Sequence, residues 1–287
     1  MELALGTVQF GIPYGLAGRN EPVPENEVRA ILEHAFSAGI RILDTAAAYG
    51  TIESRLRSLA GSNPFRIVTK LPAMPQPATV EQAKQWAITQ LNSAMDHLGD
   101  RLDTVMFHRA DDLLETHGMD VWHICSEWAA KHDVRLGASC YDPQTLTRIR
   151  SLLSIEVAQL PSNALDQRLR THAHDNSGGV ELHVRSAFLQ GLLLMDEASA
   201  TRRVPAAHSA ISRWHAWLRK NSMEALPATL GLVKSLKGVH CCVVGVDRLN
   251  QLEELTEAWA SAPALEAPEL ASIDPSIIDP RNWPKPA

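Results

Sequence analysis

Asp44, Tyr49, Lys70 and His108 each stand at or just past the end of an apolar run. Asp44 and Tyr49 share the segment Ile42-Leu43-Asp44-Thr45-Ala46-Ala47-Ala48-Tyr49-Gly50. Lys70 closes Ile67-Val68-Thr69-Lys70, and His108 closes Val105-Met106-Phe107-His108. The four side-chain types complement one another. A phenol can hand over a proton, and a nearby ammonium favours its phenolate, lowering a pKa that is otherwise about 10. A carboxylate makes such an ammonium tolerable in a closed pocket. An imidazole can donate to a carbonyl oxygen and orient it. These are the groups of a carbonyl-reducing site. Singly, each has a plainer explanation: a helix cap, a half-buried ring, a rim charge, a structural histidine. Their joint occurrence in this order, at the ends of apolar runs, favours the site.

Groups at the ends of separate short strands are what a parallel barrel supplies, because its functional residues come from the carboxyl ends of different strands. The pattern along the chain agrees. Pro24 to Gly39 reads as a helix, with Val28, Ile31, Leu32 and Ala35 on one face, and strand Arg41 to Asp44 follows. After strand Phe65 to Lys70, Thr79-x-x-Gln82 forms a capping box for a helix carrying Ala83, Ala87, Leu91 and Leu98, ended by Gly99. Strand Leu102 to Phe107 precedes a helix near Val121 to Lys131, and strand Val134 to Ser139 precedes a short helix after Pro143. Strand Ile155 to Leu160, a helical patch near Ala164 to His172, and strand Val180 to Val184 come next. Helical segments around Ser212 and Ala228 lead to strand Val239 to Val244 and helix Leu249 to Ala262. Eight strands alternating with helices, without a Gly/Ser linker, predict one (β/α)8 TIM barrel, an α/β single domain, over residues 1–262. Residues 263–287 form a Pro-rich C-terminal tail whose Ile277, Ile278 and Trp283 should pack on the body. A doubly wound sheet is disfavoured because no G-x-G-x-x-G follows the first strand.

At this point the chain resembles the aldo-keto reductases over nearly its whole length. Leu5-Gly6-Thr7-Val8-Gln9-Phe10-Gly11 looks like the family's opening strand. Asp44-Thr45-Ala46-x-x-Tyr49-Gly50 looks like its signature, with Glu53 as the acidic residue that follows, and Lys70 and His108 complete its tetrad in order. The resemblance implies an NAD(P)H-dependent oxidoreductase interconverting a small-molecule aldehyde or ketone with its alcohol, with Tyr49 as general acid/base. It also carries over a cofactor site. Ser139 and Gln159 match carboxamide-binding residues, although Cys140 stands where asparagine is usual. Ser186-Ala187-Phe188-Leu189-Gln190-Gly191 resembles the pyrophosphate loop, whose backbone N–H groups could meet phosphate oxygens. Arg185 replaces the aromatic residue that commonly stacks on nicotinamide. Gly245, Asp247, Arg248 and Gln251 resemble the loop holding the adenosine phosphate, and Glu254 matches an adenine-edge acceptor, followed by Leu255 where asparagine is expected. Asp247 occupies the place of a cation that often grips the 2′-phosphate, which tilts the expectation toward NADH. The altered nicotinamide wall also leaves a second possibility, a nicotinamide-binding redox-sensing regulatory protein with little turnover.

Bulk properties bound the rest. The 287 residues are 45% hydrophobic and 21% charged, with 27 basic and 33 acidic side chains giving a net charge of −6. No basic block exceeds Arg202-Arg203, so nucleic acid is not an expected partner. No apolar run is long enough to span a membrane, and Met1-Glu2-Leu3-Ala4-Leu5 lacks the features of a secretion signal. The four cysteines (Cys125, Cys140, Cys241, Cys242) include no C-x-x-C pair, and a cytoplasmic location is expected. His172-x-His174 has spacing a metal could use, but it runs into Asp175-Asn176-Ser177-Gly178-Gly179, a loop composition, so no metal site is expected.

Overall fold

The computed structural model describes residues 1–16, 18–75, 79–172 and 179–284. Eight parallel strands close into a barrel in sequence order: β1 (Glu2–Gly6), β2 (Ile42–Asp44), β3 (Arg66–Leu71), β4 (Leu102–Phe107), β5 (Arg135–Ser139), β6 (Val157–Pro161), β7 (Glu181–Arg185) and β8 (Val239–Val244). Closure is by β1 on β8, where Leu5 pairs with Val244. The chain thus forms a (β/α)8 barrel in a single domain.

Successive strand side chains alternate faces. Ala4, Ile42, Val68, Met106, Val157 and Cys241 point inward and form one buried cluster inside the barrel. Two residues further along the same strands come Gly6, Asp44, Lys70, His108, Gln159 and Val243. The period that fills the barrel therefore also sets the ring of groups at its carboxyl end. Outward residues such as Leu5, Leu43, Ile67, Val105 and Ala158 pack beneath the surrounding helices in the largest apolar cluster.

Two sequence expectations need correction. The opening strand stops at Gly6, because Val8–Gly11 turns into a single helical turn, with the Ile12 N–H donating to Val8 O at 3.0 Å. Within the patch expected as helical from Ala164, only Arg168–His172 is helix. Asn163 Oδ1 accepts from the N–H groups of Leu165 and Asp166, both at 2.9 Å, which folds the preceding residues into a turn. A helix at Ile52–Leu59 has no counterpart in the sequence reading. The Thr79–Gln82 capping box forms in both directions at the start of Val80–Leu98. His174 lies outside the described residues.

The tail packs on the body. Ala267, Leu270, Ile278 and Trp283 are buried with Ile211, Trp214 and Leu232 in a second apolar cluster, against the helices that follow β7. No described helix is long and apolar enough to cross a membrane.

Candidate active site

At the carboxyl end of the barrel, Lys70 Nζ donates to Asp44 Oδ1 at 2.6 Å and to the Thr45 carbonyl at 3.0 Å. Gln159 Nε2 donates to the other carboxylate oxygen, Asp44 Oδ2, at 2.7 Å. Asp44 and Lys70 are 4% and 2% exposed, so each charge depends on the other for its partner. Lys70 Nζ lies 5.7 Å from the centre of the Tyr49 ring. His108 meets the same ring edge-on, with centroids 5.9 Å apart. The four residues singled out from the sequence thus converge, although Tyr49 rides on a turn after β2 and not on a strand.

Glycine makes that turn possible. A side chain at Gly11 would overlap the Tyr49 carbonyl oxygen, and one at Gly50, whose φ is 63°, would press on the Gly11 carbonyl. The short helix Val8–Gly11 therefore backs Tyr49 directly. Glu53, in the helix that follows, is buried and accepts from the Thr69 hydroxyl, tying this segment to β3.

Burial dominates the protonation states. It pushes the Tyr49 phenol up, and the Asp44 charge adds to the rise, while Arg185 opposes it. The expected lowering by Lys70 is not what governs Tyr49: the ammonium is spoken for by Asp44, and loss of solvent outweighs its field. Burial also pulls Lys70 down, with Asp44 opposing. For His108, burial and then the Lys70 charge lower the imidazole to about 4. At neutral pH the site therefore presents a neutral phenol and a neutral imidazole beside the Asp44–Lys70 pair.

A cleft of about 530 Å³ opens from this cluster. Asp44, Tyr49 and Gln159 line one end; Gly245, Asp247, Gln251 and Glu254 line the other, after β8. Ser186, Phe188 and Gly191 form the wall between. Ser186, Leu189, Gln190 and Gly191 have φ of 61°, 48°, 54° and 89°, left-handed positions that curl the backbone into turns in which the Leu189 and Gly191 N–H groups donate to the Ser186 and Phe188 carbonyls, both at 2.9 Å. Ser139 is buried beside Gln159, its register partner, and does not reach the cleft surface. Cys140 is buried as well. Arg248 lines a neighbouring hollow with Arg19, Asn20 and Glu21, apart from the cleft. Asp247 sits at the border: burial raises its carboxyl pKa, with Arg19 and Arg248 opposing.

Several lining residues escaped the sequence reading. Gln9 has a buried Oε1 without a partner. Tyr14, one of three tyrosines, lines the cleft with Tyr49. Gly15 and Gly18 after it were the available signal of a functional loop, because both also line the cleft. Arg185, noted only as a departure from an aromatic, is a cleft cation.

This fold has clear counterparts. The aldo/keto reductase family model matches residues 2–278, and the chain belongs to that family, which implies oxidoreductase activity. Among solved structures it is similar to the aldo-keto reductase AKR11C1 from Bacillus halodurans in its holo form, at 18% identity and TM-score 0.69, covering 98% of this chain and 95% of that one. It is also similar to a Pseudomonas aeruginosa protein assigned to the aldo-keto reductases, at 21% identity and TM-score 0.66, covering 91% and 90%. At such identities the likeness is one of fold. No curated protein matches the sequence.

Proposed function

We propose that this protein is a nicotinamide-dependent reductase of a small-molecule aldehyde or ketone, with Tyr49 as the proton donor. The observation that carries the proposal is the convergence of Asp44, Tyr49, Lys70 and His108, of which Asp44 and Tyr49 line a cleft shared with the loop and helix start after β8. The cleft suits a dinucleotide. Its volume lies in the range of about 300–1,000 Å³ usual for small-molecule sites. In the turns at Ser186–Gly191 the Ala187, Phe188 and Gln190 N–H groups have no backbone acceptor among the described residues and can meet phosphate, and the unpartnered Gln9 Oε1 awaits a donor. Gln159 keeps its carbonyl oxygen free for a carboxamide while its nitrogen holds Asp44.

Bound reduced nicotinamide supplies the hydride for the carbonyl carbon. The protein's own groups do the rest. His108, neutral, donates one ring N–H to the substrate oxygen and fixes its direction. Tyr49, kept protonated by burial, gives its proton to that oxygen as negative charge develops. The resulting phenolate is met by the Lys70 ammonium, already in place and already desolvated, so little reorganisation accompanies the transfer. Asp44 and Gln159 hold Lys70 there. Asp247 is at the cleft surface while Arg248 is not, which favours NADH over NADPH: a carboxylate accepts from a ribose hydroxyl and repels a 2′-phosphate.

The test is direct. Oxidation of NADH and of NADPH is followed by absorbance against a panel of aldehydes and ketones. Turnover of at least one carbonyl, with NADH preferred, is expected. Cofactor binding without turnover of any carbonyl would overturn the proposal and favour a redox-sensing role.

A further inference from the structure

Arg185 ends β7 and reaches across the end of β6 toward β5. Its Nη1 donates to Ser186 Oγ and its Nη2 to the Cys140 carbonyl, both at 3.3 Å. The guanidinium carbon stands 4.5 Å from the centre of the Tyr141 ring. Among the described residues no carboxylate pairs with it. The tail carboxylate Asp279 is engaged by Arg281, at 2.6 Å, and the Arg281 guanidinium also stacks on Tyr141, 3.4 Å from the ring centre. Asp44 is likewise engaged by Lys70 and Gln159.

A guanidinium carries five N–H donors. Two here make long bonds, so the others are left for a ligand. The neighbouring cations Lys70, Arg168 and Arg281 are each paired with a carboxylate, whereas Arg185 lines the same cleft as Tyr49. Its charge is felt at both Tyr49 and His108. The cation is also held in place: Tyr141 stacks on it, and Arg281 from the tail stacks on Tyr141 in turn. A planar, pre-oriented guanidinium with free N–H edges is suited to bidentate contact with a carboxylate.

We propose that Arg185 is a specificity residue that selects carbonyl substrates bearing a carboxylate, binding that carboxylate while the carbonyl meets Tyr49 and His108. The inference rests on the reductase reading above. It names the class of compound reduced: an oxo acid, converted to the corresponding hydroxy acid by hydride at carbon and the Tyr49 proton at oxygen.

The probes are benzaldehyde and its 2-, 3- and 4-carboxy derivatives, which place a carboxylate at graded distances from one carbonyl. The wild-type protein should favour at least one acid over benzaldehyde in kcat/KM by about tenfold or more. Arg185→Met should cut the acid-to-neutral ratio by about tenfold to a hundredfold, the range for a hydrogen bond to a charged group, and chiefly through KM. Arg185→Lys should keep part of the preference, since the charge remains and the fork is lost. A wild type that prefers benzaldehyde to all three acids, or a Met variant with an unchanged ratio, would overturn the proposal. So would a Met variant whose only defect is weaker NADH binding by fluorescence titration, which would assign Arg185 to the cofactor. Calorimetric titration with benzoate separates the two levels of inference. Benzoate binding that weakens in Arg185→Met supports the anion site even if no carbonyl is reduced. Failure of wild-type protein to bind benzoate, with benzaldehyde still reduced, sinks the anion site alone.

Discussion

Burial moves Tyr49 and His108 in opposite directions, yet leaves both uncharged at neutral pH. A donor that is raised keeps its proton until negative charge builds on the substrate oxygen, and the barrier then depends on the cation waiting nearby. Tyr49→Phe removes the proton and little else, so turnover of the best carbonyl should fall by about 10²- to 10⁴-fold, the usual share of general acid catalysis. Fluorescence titration should show NADH binding almost unchanged in that variant. Wild-type turnover from the Phe protein would exclude Tyr49 as the donor. On the proposed reading, Asp247, which lines the cleft, selects between cofactors. Replacing it by serine removes a repulsion while Arg19 and Arg248 stay close, so Asp247→Ser should shift the NADPH-to-NADH affinity ratio toward NADPH by about tenfold, a typical worth for one charged contact. Titrating both cofactors against both proteins measures that ratio. If the wild type already binds NADPH a hundredfold more tightly, Asp247 is not the selector.

The turn that carries Tyr49 is built by neighbours, not by its own sequence. Gly11 backs the Tyr49 carbonyl, and Gly50 is held at positive φ against Gly11. Gly11→Ala must push the two segments apart, at a cost of about 1–3 kcal/mol for overpacking, and should lower kcat more than it raises KM for the cofactor. Denaturant unfolding with steady-state kinetics on the same preparation checks both; an Ala variant equal to wild type in each would show that the contact relaxes freely. This dependence explains what could be read from the chain. Asp44, Lys70 and His108 were legible because each closes a short continuous apolar run, the mark of a buried parallel strand, and the structure places them one inward position beyond Ile42, Val68 and Met106. The capping box at Thr79 was legible for the same local reason. The turn at Val8–Gly11 was not, since Val8 and Phe10 alternate with polar and glycine residues as a strand would. Nor was the left-handed run at Leu189 and Gln190, whose residue types do not announce positive φ. The stack of Arg185, Tyr141 and Arg281 joins β7, the β5 loop and the tail, and no spacing rule links them.

The two ends of the barrel divide the labour of the whole molecule. The carboxyl end holds the cleft. At the amino end Arg135 donates to Glu181 Oε2 at 2.8 Å and pairs with Asp103 at 2.5 Å, while His183 Nε2 lies 2.8 Å from Glu181 Oε1. His240 joins from β8, its ring stacked on His183 with centroids 6.0 Å apart and its Nε2 2.9 Å from Glu2 of β1. This network ties β1, β4, β5, β7 and β8 together where no substrate comes, and conserving charge there serves stability. The hydrogen bond from His183, then the Arg135 guanidinium, hold the Glu181 carboxyl at about 2, against an ordinary value of 4.5. A folded value below the unfolded one stabilises the protein fully above pH 4.5, and that contribution is lost as pH falls from 4.5 through about 2. With its side chain 21% exposed, Glu181 should contribute on the order of 2 kcal/mol after allowance for solvent screening. Glu181→Gln should therefore lower the urea midpoint at pH 7 and flatten the loss of stability between pH 4.5 and 2.5, with kcat at pH 7 unchanged. A variant that keeps the wild-type midpoint but loses turnover would show that the amino end is coupled to the chemistry, and would break the division of labour between the two rims.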